Sequence, residues 1–411
     1  MRLRCSTYLY TPALLDATSG LLATFFIGLL MPGERTIAFV AGEASGDLLA
    51  APVISEVLQR APDMHCVGIG GDRMIAAGFD AWHHVRELSV RGYVEVLRHL
   101  PRLLRLRRTL RERVIATKPQ VFVGVDAPDF NLALEEQLRG QGIRTVHFVS
   151  PSIWAWRGER IKQIARAVDR MLLVFPFEQK IYDDAGIPAS YVGHPLASMI
   201  PMIPDAAAAR QRLGVHADGS LIAVLPGSRA GEVHHIGPIF IAAMAQLASQ
   251  QPSIRFVLPV ADPGLRADIE RMMAAYSSLS AHVSIVNGRS HDCREAADVV
   301  LVASGTATLE AALFKRPMVI SYKMPPLSAW IMRRKGSIPY IGLPNILASE
   351  FVVPELVQEA ATPAALARSV LDWLHDPARR ERTVARLTDM HHSLKRDTAR
   401  LVADTIFEVA Q

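Results

Sequence analysis

Several short stretches of this 411-residue chain combine residue types that could do chemistry. Ser304-Gly305-Thr306 follows a short β-branched run at 299–302 and precedes a helix-forming run at 309–315. A buried strand that stops where a helix begins leaves backbone N–H groups pointing outward. With the helix dipole behind them, they attract an anion such as a phosphate. Glu310 lies one helical turn beyond Thr306, where its carboxylate could accept hydrogen bonds from a ribose diol. An ordinary capped strand-to-helix turn would use the same residues. The loop Leu225-Pro-Gly-Ser-Arg-Ala-Gly-Glu232 is a second stretch of this kind. Gly227 permits close backbone approach, Ser228 offers a hydroxyl, and Arg229 carries a guanidinium fork suited to a diphosphate. A surface ion pair of Arg229 is the competing use.

The first half carries carboxylates in similar places. A strand expected at 121–125 ends in Asp126, followed by Asp129 and Asn131. A carboxylate at a strand end inside a cleft is suited to general-base work, and Asp and Asn also serve as turn formers. Gly42-Glu43-Ala44-Ser45-Gly46-Asp47 is a glycine-bearing turn with two carboxylates. Its glycine spacing fits neither a dinucleotide fingerprint nor a P-loop. Ser150 to Arg157 places Trp154, Trp156 and Arg157 after another strand end. The tryptophans could form a wall for a sugar or an apolar group, or pack in the core.

Those residues need elements to hold them. From residue 36 onward short apolar strands alternate with helix-length segments. Strands are expected at 37–41, 67–69, 121–125, 145–149 and 171–174. A proline-bearing break covers 195–204, and a helix is expected at 206–213. Strands resume at 221–225, 254–260, 283–286, 299–302 and 318–322, and the tail from 363 reads as helical throughout. Such alternation argues for an α/β fold, two tandem domains built on parallel sheets wrapped by helices. Ligands in such sheets bind where loops leave the carboxyl ends of the strands, and nearly every stretch above lies at such an end. The expected division is an N-terminal extension at 1–31, domains at 32–199 and 200–375, and C-terminal helices at 376–411.

Composition narrows the partners. Half of the residues are hydrophobic, the formal net charge is +5, and the pI is near 9.2 with a mean hydropathy of +0.18. A basic balance points to an anionic partner. Cys5, Cys66 and Cys293 have no paired spacing, which indicates neither a disulfide framework nor a zinc site. The stretch 98–114 can bury Leu103, Leu106, Leu110 and Val114 on one helix face and leave Arg102, Arg105, Arg108 and Arg111 outside. It suits either a surface helix drawn to anionic lipid or an ordinary helix packed on its sheet. Trp330 and the basic residues up to Lys335 repeat that theme. No nucleic-acid-binding motif is present, so nucleic acid is not an expected partner. The basic Met1–Arg4 and the apolar run 20–31 read as a membrane-surface anchor, an uncleaved signal, or an upstream extension with Met31 as the start. The last is favoured, because a strand follows almost at once.

Taken in order, VAGEASGDLLA, ELSVRGYVEVL, VFVGVDAPDFN, HFVSPSIWAWR, YVGHPL, LPGSRAGEV, SGTATLEAAL and GLPNILASEFVVPELVQ resemble the lipid-A-disaccharide synthase family from about Thr36 onward. The resemblance implies an inverting glycosyltransferase of the glycosyltransferase-B type, with two Rossmann-like domains facing across a cleft. It implies transfer of 2,3-diacylglucosamine from its UDP conjugate to the 6-hydroxyl of 2,3-diacylglucosamine 1-phosphate. It further implies a peripheral place on the cytoplasmic face of the Gram-negative inner membrane, with no cofactor and no metal; a homodimer is held open. Asp126 becomes the matched base. Glu43, Ser45, Asp47, Asp129, Asn131, Trp154 and Arg157 fall on the acceptor side. Gly227, Ser228, Arg229, Glu232, Ser304, Gly305, Thr306, Glu310 and Asn345 fall on the UDP side. Two alternatives stand beside this: another enzyme of the same fold, such as a UDP-N-acetylglucosamine epimerase, and a non-catalytic binding protein.

Overall fold

Apolar β-branched runs become strands here because helices cover both of their faces. In the first half these are β1 (Arg35–Ala41), β2 (Met64–Gly70), β3 (Asp80–His84), β4 (Val121–Val125), β5 (Arg144–Phe148), β6 (Arg170–Leu173) and β7 (Ala189–Tyr191). They form one parallel sheet in the order β3-β2-β1-β4-β5-β6-β7. In the second half β8 (Leu221–Leu225), β9 (Arg255–Val260), β10 (Val283–Asn287), β11 (Val299–Ala303), β12 (Met318–Tyr322) and β13 (Glu355–Val357) form another parallel sheet. Its order is β10-β9-β8-β11-β12-β13. Both sheets reverse strand order beside their first strand, between β1 and β4 and between β8 and β11. That reversal opens a crevice at the carboxyl ends of those strands. The computed structural model describes residues 35–88, 93–155, 157–215, 219–260, 262–326, 329–330 and 338–411. The expected extension at 1–31, Trp156, and the basic residues from Arg333 to Lys335 lie outside them.

The helices of the first half are α1 (Ala44–Arg60), α2 (Asp72–Ala76), α3 (Tyr93–Thr117), α4 (Pro128–Arg139), α5 (Ile161–Ala167) and α6 (Glu178–Asp184). α7 (Pro195–Met199) lies in the break between the sheets, where no helix is expected from the sequence. α8 (Ala206–Leu213), α9 (Ala230–Gln250), α10 (Pro263–Met273), α11 (Ser290–Ala296) and α12 (Thr306–Leu313) follow. α13 (Leu343–Ala348) then precedes α14 (Pro363–His375), α15 (Pro377–Leu394) and α16 (Thr398–Ala410). The helical tail thus consists of three helices. Asp376 and Asp397 cap α15 and α16 by accepting from Arg379 and Arg400 N–H.

Leu106, Leu110 and Val114 of α3 are buried against the first sheet, and Leu103 is half-buried. Arg102, Arg105 and Arg108 are exposed beside Leu100 and Leu104, which are 42% and 46% exposed. Trp373 of α14 is fully buried and donates to Met318 O at 3.0 Å, fixing α14 over the second sheet. α16 returns to the first half and packs on α1, β4 and β5. Arg60 pairs with Asp404 and Arg170 with Glu408 across that contact.

Candidate active site

The turns after β1 and β4 meet at the first switch point. β1 and β4 pair from Ile37 with Val121 to Ala41 with Val125, so Gly42 and Asp126 leave the sheet side by side. The turns are so close that a Cβ on Gly42 would stand 2.0 Å from Ala127 Cβ. Ser45 Oγ donates to the Asp126 carboxylate at 3.3 Å, and Glu43 and Ser45 are both exposed. Asp126 is half-buried, with its N–H donating to Phe148 O at 2.9 Å. A half-open carboxylate at a switch point can receive a proton from a hydroxyl that approaches it.

Not every carboxylate or amide expected on the acceptor side points at a ligand. Asp47 is 6% exposed and accepts from Gly71, Arg73 and Met74 N–H at 2.9, 3.2 and 3.0 Å, capping α2. Asn131 is fully buried, and its Nδ2 donates to Asp126 O at 2.8 Å. Asp129 is exposed and holds Arg160 as well as Arg157, the latter at 3.5 Å. Trp154 is half-buried and donates from Nε1 to Glu178 Oε1 at 3.2 Å. An aromatic row runs on from it. Trp154 meets Phe177 edge-on at 5.4 Å, Phe177 stacks on Phe175 at 5.7 Å, and Phe175 lies 5.5 Å from the His194 ring.

At the second switch point, Gly227 has φ +124°, a left-handed region that L side chains avoid. A Cβ there would stand 2.7 Å from the Glu232 side chain. Glu232 accepts from Ser228 and Arg229 N–H at 3.1 and 3.3 Å, so its carboxylate shapes the loop. The Arg229 side chain is 76% exposed and pairs through Nη1 with Glu232 Oε1 at 3.3 Å, the surface ion pair expected as its competing use. Gly305 and Thr306 are exposed at the start of α12. The Ser304 hydroxyl donates to Ile341 O at 2.7 Å. Ile341 and Gly342 N–H donate to Glu355, as does Asn345 Nδ2 at 2.8 Å. Asn345 is fully buried, and its Oδ1 accepts from Val352 and Val353 N–H. It thus shapes the 341–355 loop that rests on Ser304. Burial raises the Glu355 pKa, against the pull of those donors.

Glu310 projects from α12 toward α11, with His291 Nε2 at 3.0 Å and Arg294 Nη1 at 2.5 Å. Burial pushes its pKa up, but the His291 hydrogen bond and the nearby positive charges outweigh burial and hold it below the ordinary value. The carboxylate therefore stays ionised and able to accept further hydrogen bonds. His194, after β7, accepts at Nδ1 from Leu196 N–H at 3.2 Å, which leaves the proton of the neutral ring on Nε2. Burial lowers its pKa to about 4, opposed by the charge of Glu310.

His194, Glu178, His291, Arg294 and Glu355 were not singled out from the sequence. His194 and Glu355 carried a signal, through their places in YVGHPL and GLPNILASEFVVPELVQ; the others are defined by partners distant along the chain.

The Lipid-A-disaccharide synthetase family model matches residues 37–407. A lipid-A-disaccharide synthase of Paraburkholderia phytofirmans is 53% identical over 383 residues, covering 93% of this chain and 98% of that protein. One of Cupriavidus pinatubonensis is 55% identical over 375 residues, covering 91% and 93%. Among solved structures, a UDP-GlcNAc 2-epimerase from Neisseria meningitidis, bound to UDP-GlcNAc, aligns with a TM-score of 0.64 at 13% identity, covering 91% of this chain and all of that one. Acinetobacter baumannii MurG aligns with a TM-score of 0.54 at 14% identity, covering 91% and 99%. Those two likenesses speak for the two-sheet glycosyltransferase-B fold, whereas the sequence matches span nearly the whole chain and speak for descent. The chain belongs to the lipid-A-disaccharide synthetase family.

Proposed function

We infer that this protein is a UDP-sugar glycosyltransferase of lipid A biosynthesis, joining UDP-2,3-diacylglucosamine to 2,3-diacylglucosamine 1-phosphate. The products are the β-1,6-linked disaccharide 1-phosphate and UDP. The observation that carries the reading, given the family, is the pair of switch points with opposite equipment. One presents a carboxylate, Asp126, and the other presents a glycine turn, an exposed arginine paired with Glu232, and a helix start.

In this reading the second half holds UDP. Backbone N–H groups at Gly227–Ser228 and Gly305–Thr306, the α12 dipole and Arg229 take the diphosphate, and their charge offsets the charge that grows on the leaving group. Glu310, kept ionised by Arg294 and His291, takes the ribose hydroxyls. Asp126 accepts the proton of the acceptor 6-hydroxyl as that oxygen attacks the anomeric carbon from the face opposite UDP, which inverts the centre. Ser45 orients the carboxylate. Glu43, Trp154 and Arg157 border the acceptor, while Asp47, Asp129, Asn131, Glu232 and Asn345 act by shaping the loops.

Both substrates carry acyl chains, and α3 offers a matching surface. Leu100 and Leu104 are exposed among Arg102, Arg105 and Arg108, a pattern suited to the headgroup layer of an anionic membrane. Among the described residues no helix is long and apolar enough to cross a membrane.

The test is turnover by purified protein in detergent, with UDP-2,3-diacylglucosamine and the 1-phosphate acceptor, read by mass spectrometry with and without EDTA. A tetra-acyl disaccharide 1-phosphate in both samples supports the reading. UDP binding without that product would move the assignment to another transferase of the same fold.

A further inference from the structure

Asp126 and Ala127 are consecutive non-glycine residues with φ of +55° and +45°. Two L-residues in the left-handed region persist only where the surroundings impose that backbone. Two hydrogen bonds hold the Asp126 main chain: its N–H to Phe148 O, and its C=O from Asn131 Nδ2 at 2.8 Å. Asn131 is fully buried, and its amide also faces Val40 O at 3.2 Å, at the end of β1.

One turn further along α4, Glu135 is fully buried with Oε1 2.7 Å from His147 Nδ1 on β5. His147 lies opposite Gly124 of β4 in the sheet register. Gly124 makes the room, since a Cβ there would stand 2.0 Å from Glu135 Oε1 and 3.1 Å from Asn131 Cβ. Gly124, Asn131, Glu135 and His147 are thus one buried polar unit two residues from Asp126.

This unit is a poor device for stability alone. Apolar side chains of similar volume usually serve a core as well as a buried carboxyl–imidazole pair does. Asn131 Oδ1, Glu135 Oε2 and His147 Nε2 are also buried without a protein partner, which costs further free energy. Burial pushes the Glu135 carboxyl up, against the pull of His147. What the pair does supply is directional: it fixes α4 in rotation against β4 and β5, and so fixes the Asn131 amide under the Asp126 carbonyl.

We propose that Glu135 and His147 are positioning residues for Asp126, holding its left-handed main chain through Asn131; this rests on Asp126 being the base of the transfer. The decisive variant is the double replacement Glu135→Leu with His147→Leu, measured for urea stability, UDP affinity, acceptor KM and kcat. Stability equal to or above the parent, unchanged UDP affinity and KM, and a kcat lower by about 30-fold or more are expected. In an Asp126→Asn background the same pair should lower the residual rate no further, because both changes act through one carboxylate.

A stable double variant whose kcat stays within about threefold of the parent would overturn the proposal, as would losses that multiply in the Asp126→Asn background. An Asp126→Asn single variant with parental kcat would overturn the base assignment itself and this proposal with it. If the double variant does not fold, Glu135→Gln decides. A kcat drop of about fivefold or more at constant KM and UDP affinity supports positioning, and a smaller one overturns it.

Discussion

Ser45 and Asp126 are 81 residues apart in the chain, and the hydroxyl of one lies 3.3 Å from the carboxylate of the other. The contact joins the turns that leave the two strands flanking the first switch point. Replacing Asp126 with Ala should lower kcat by about 10²–10⁴-fold, the usual range for a general base. UDP affinity, measured by calorimetry, should be unchanged because the loops proposed to hold UDP belong to the other sheet. Ser45→Ala removes a single donor and should lower kcat/KM by about tenfold or less.

Gly227 offers a test of the nucleotide loop. Gly227→Ala forces a side chain into a left-handed backbone and against Glu232. The loop must open to admit it, so the Kd for UDP should rise by about tenfold or more while urea stability falls by only about 1–3 kcal/mol. An unchanged Kd would remove this loop from the UDP site.

Arg294 and Glu310 form a buried ion pair, with side chains 4% and 16% exposed. Arg294→Met leaves Glu310 charged and short of a partner, and should cost about 3–5 kcal/mol in urea unfolding. Glu310→Gln removes the charge itself and should weaken UDP binding in calorimetry by about tenfold. UDP binding insensitive to Glu310→Gln would confine the pair to a structural role.

Glu178 makes stability depend on pH. Burial pushes its pKa from an ordinary 4.5 to about 7, although Phe175 N–H, Trp154 and Ser150 donate to the carboxyl. A carboxyl with a raised folded pKa contributes its full stability below pH 4.5 and loses it as pH climbs to about 7. At 1.36 kcal/mol per pKa unit the loss approaches roughly 3 kcal/mol. Glu178→Gln does not ionise, so its urea stability relative to the parent should improve between pH 5 and pH 8. A constant difference would show that Glu178 does not titrate in that window.

The strands that carry the site were legible because each is a short apolar run that leads into glycine, proline, serine or aspartate. β3, β7 and β13 were not expected, since edge strands of three to five residues show no continuous apolar run. Asp126, Gly227 and Gly305 stood out by type and place, and the structure sets each at a switch point. Asp47, Asn131 and Asn345 also stood out, yet their polar atoms are directed at main-chain groups and, for Asn345, also at Glu355. Residue type announces a demand for hydrogen bonds, not which groups will meet it. The partners of Glu310 could not be read at all, because Arg294 and His291 reach it from a different helix.

The return of α16 to the first half has a consequence for how the chain is made. Val402, Ala403 and Ile406 complete the core over α1, β4 and β5, yet every strand of the second sheet is translated before them. During synthesis, α1 waits without its final cover while some 340 further residues emerge. At about 5–20 residues per second that interval is roughly 20–70 s. The first half therefore cannot close its core until the last helix of the chain has been made.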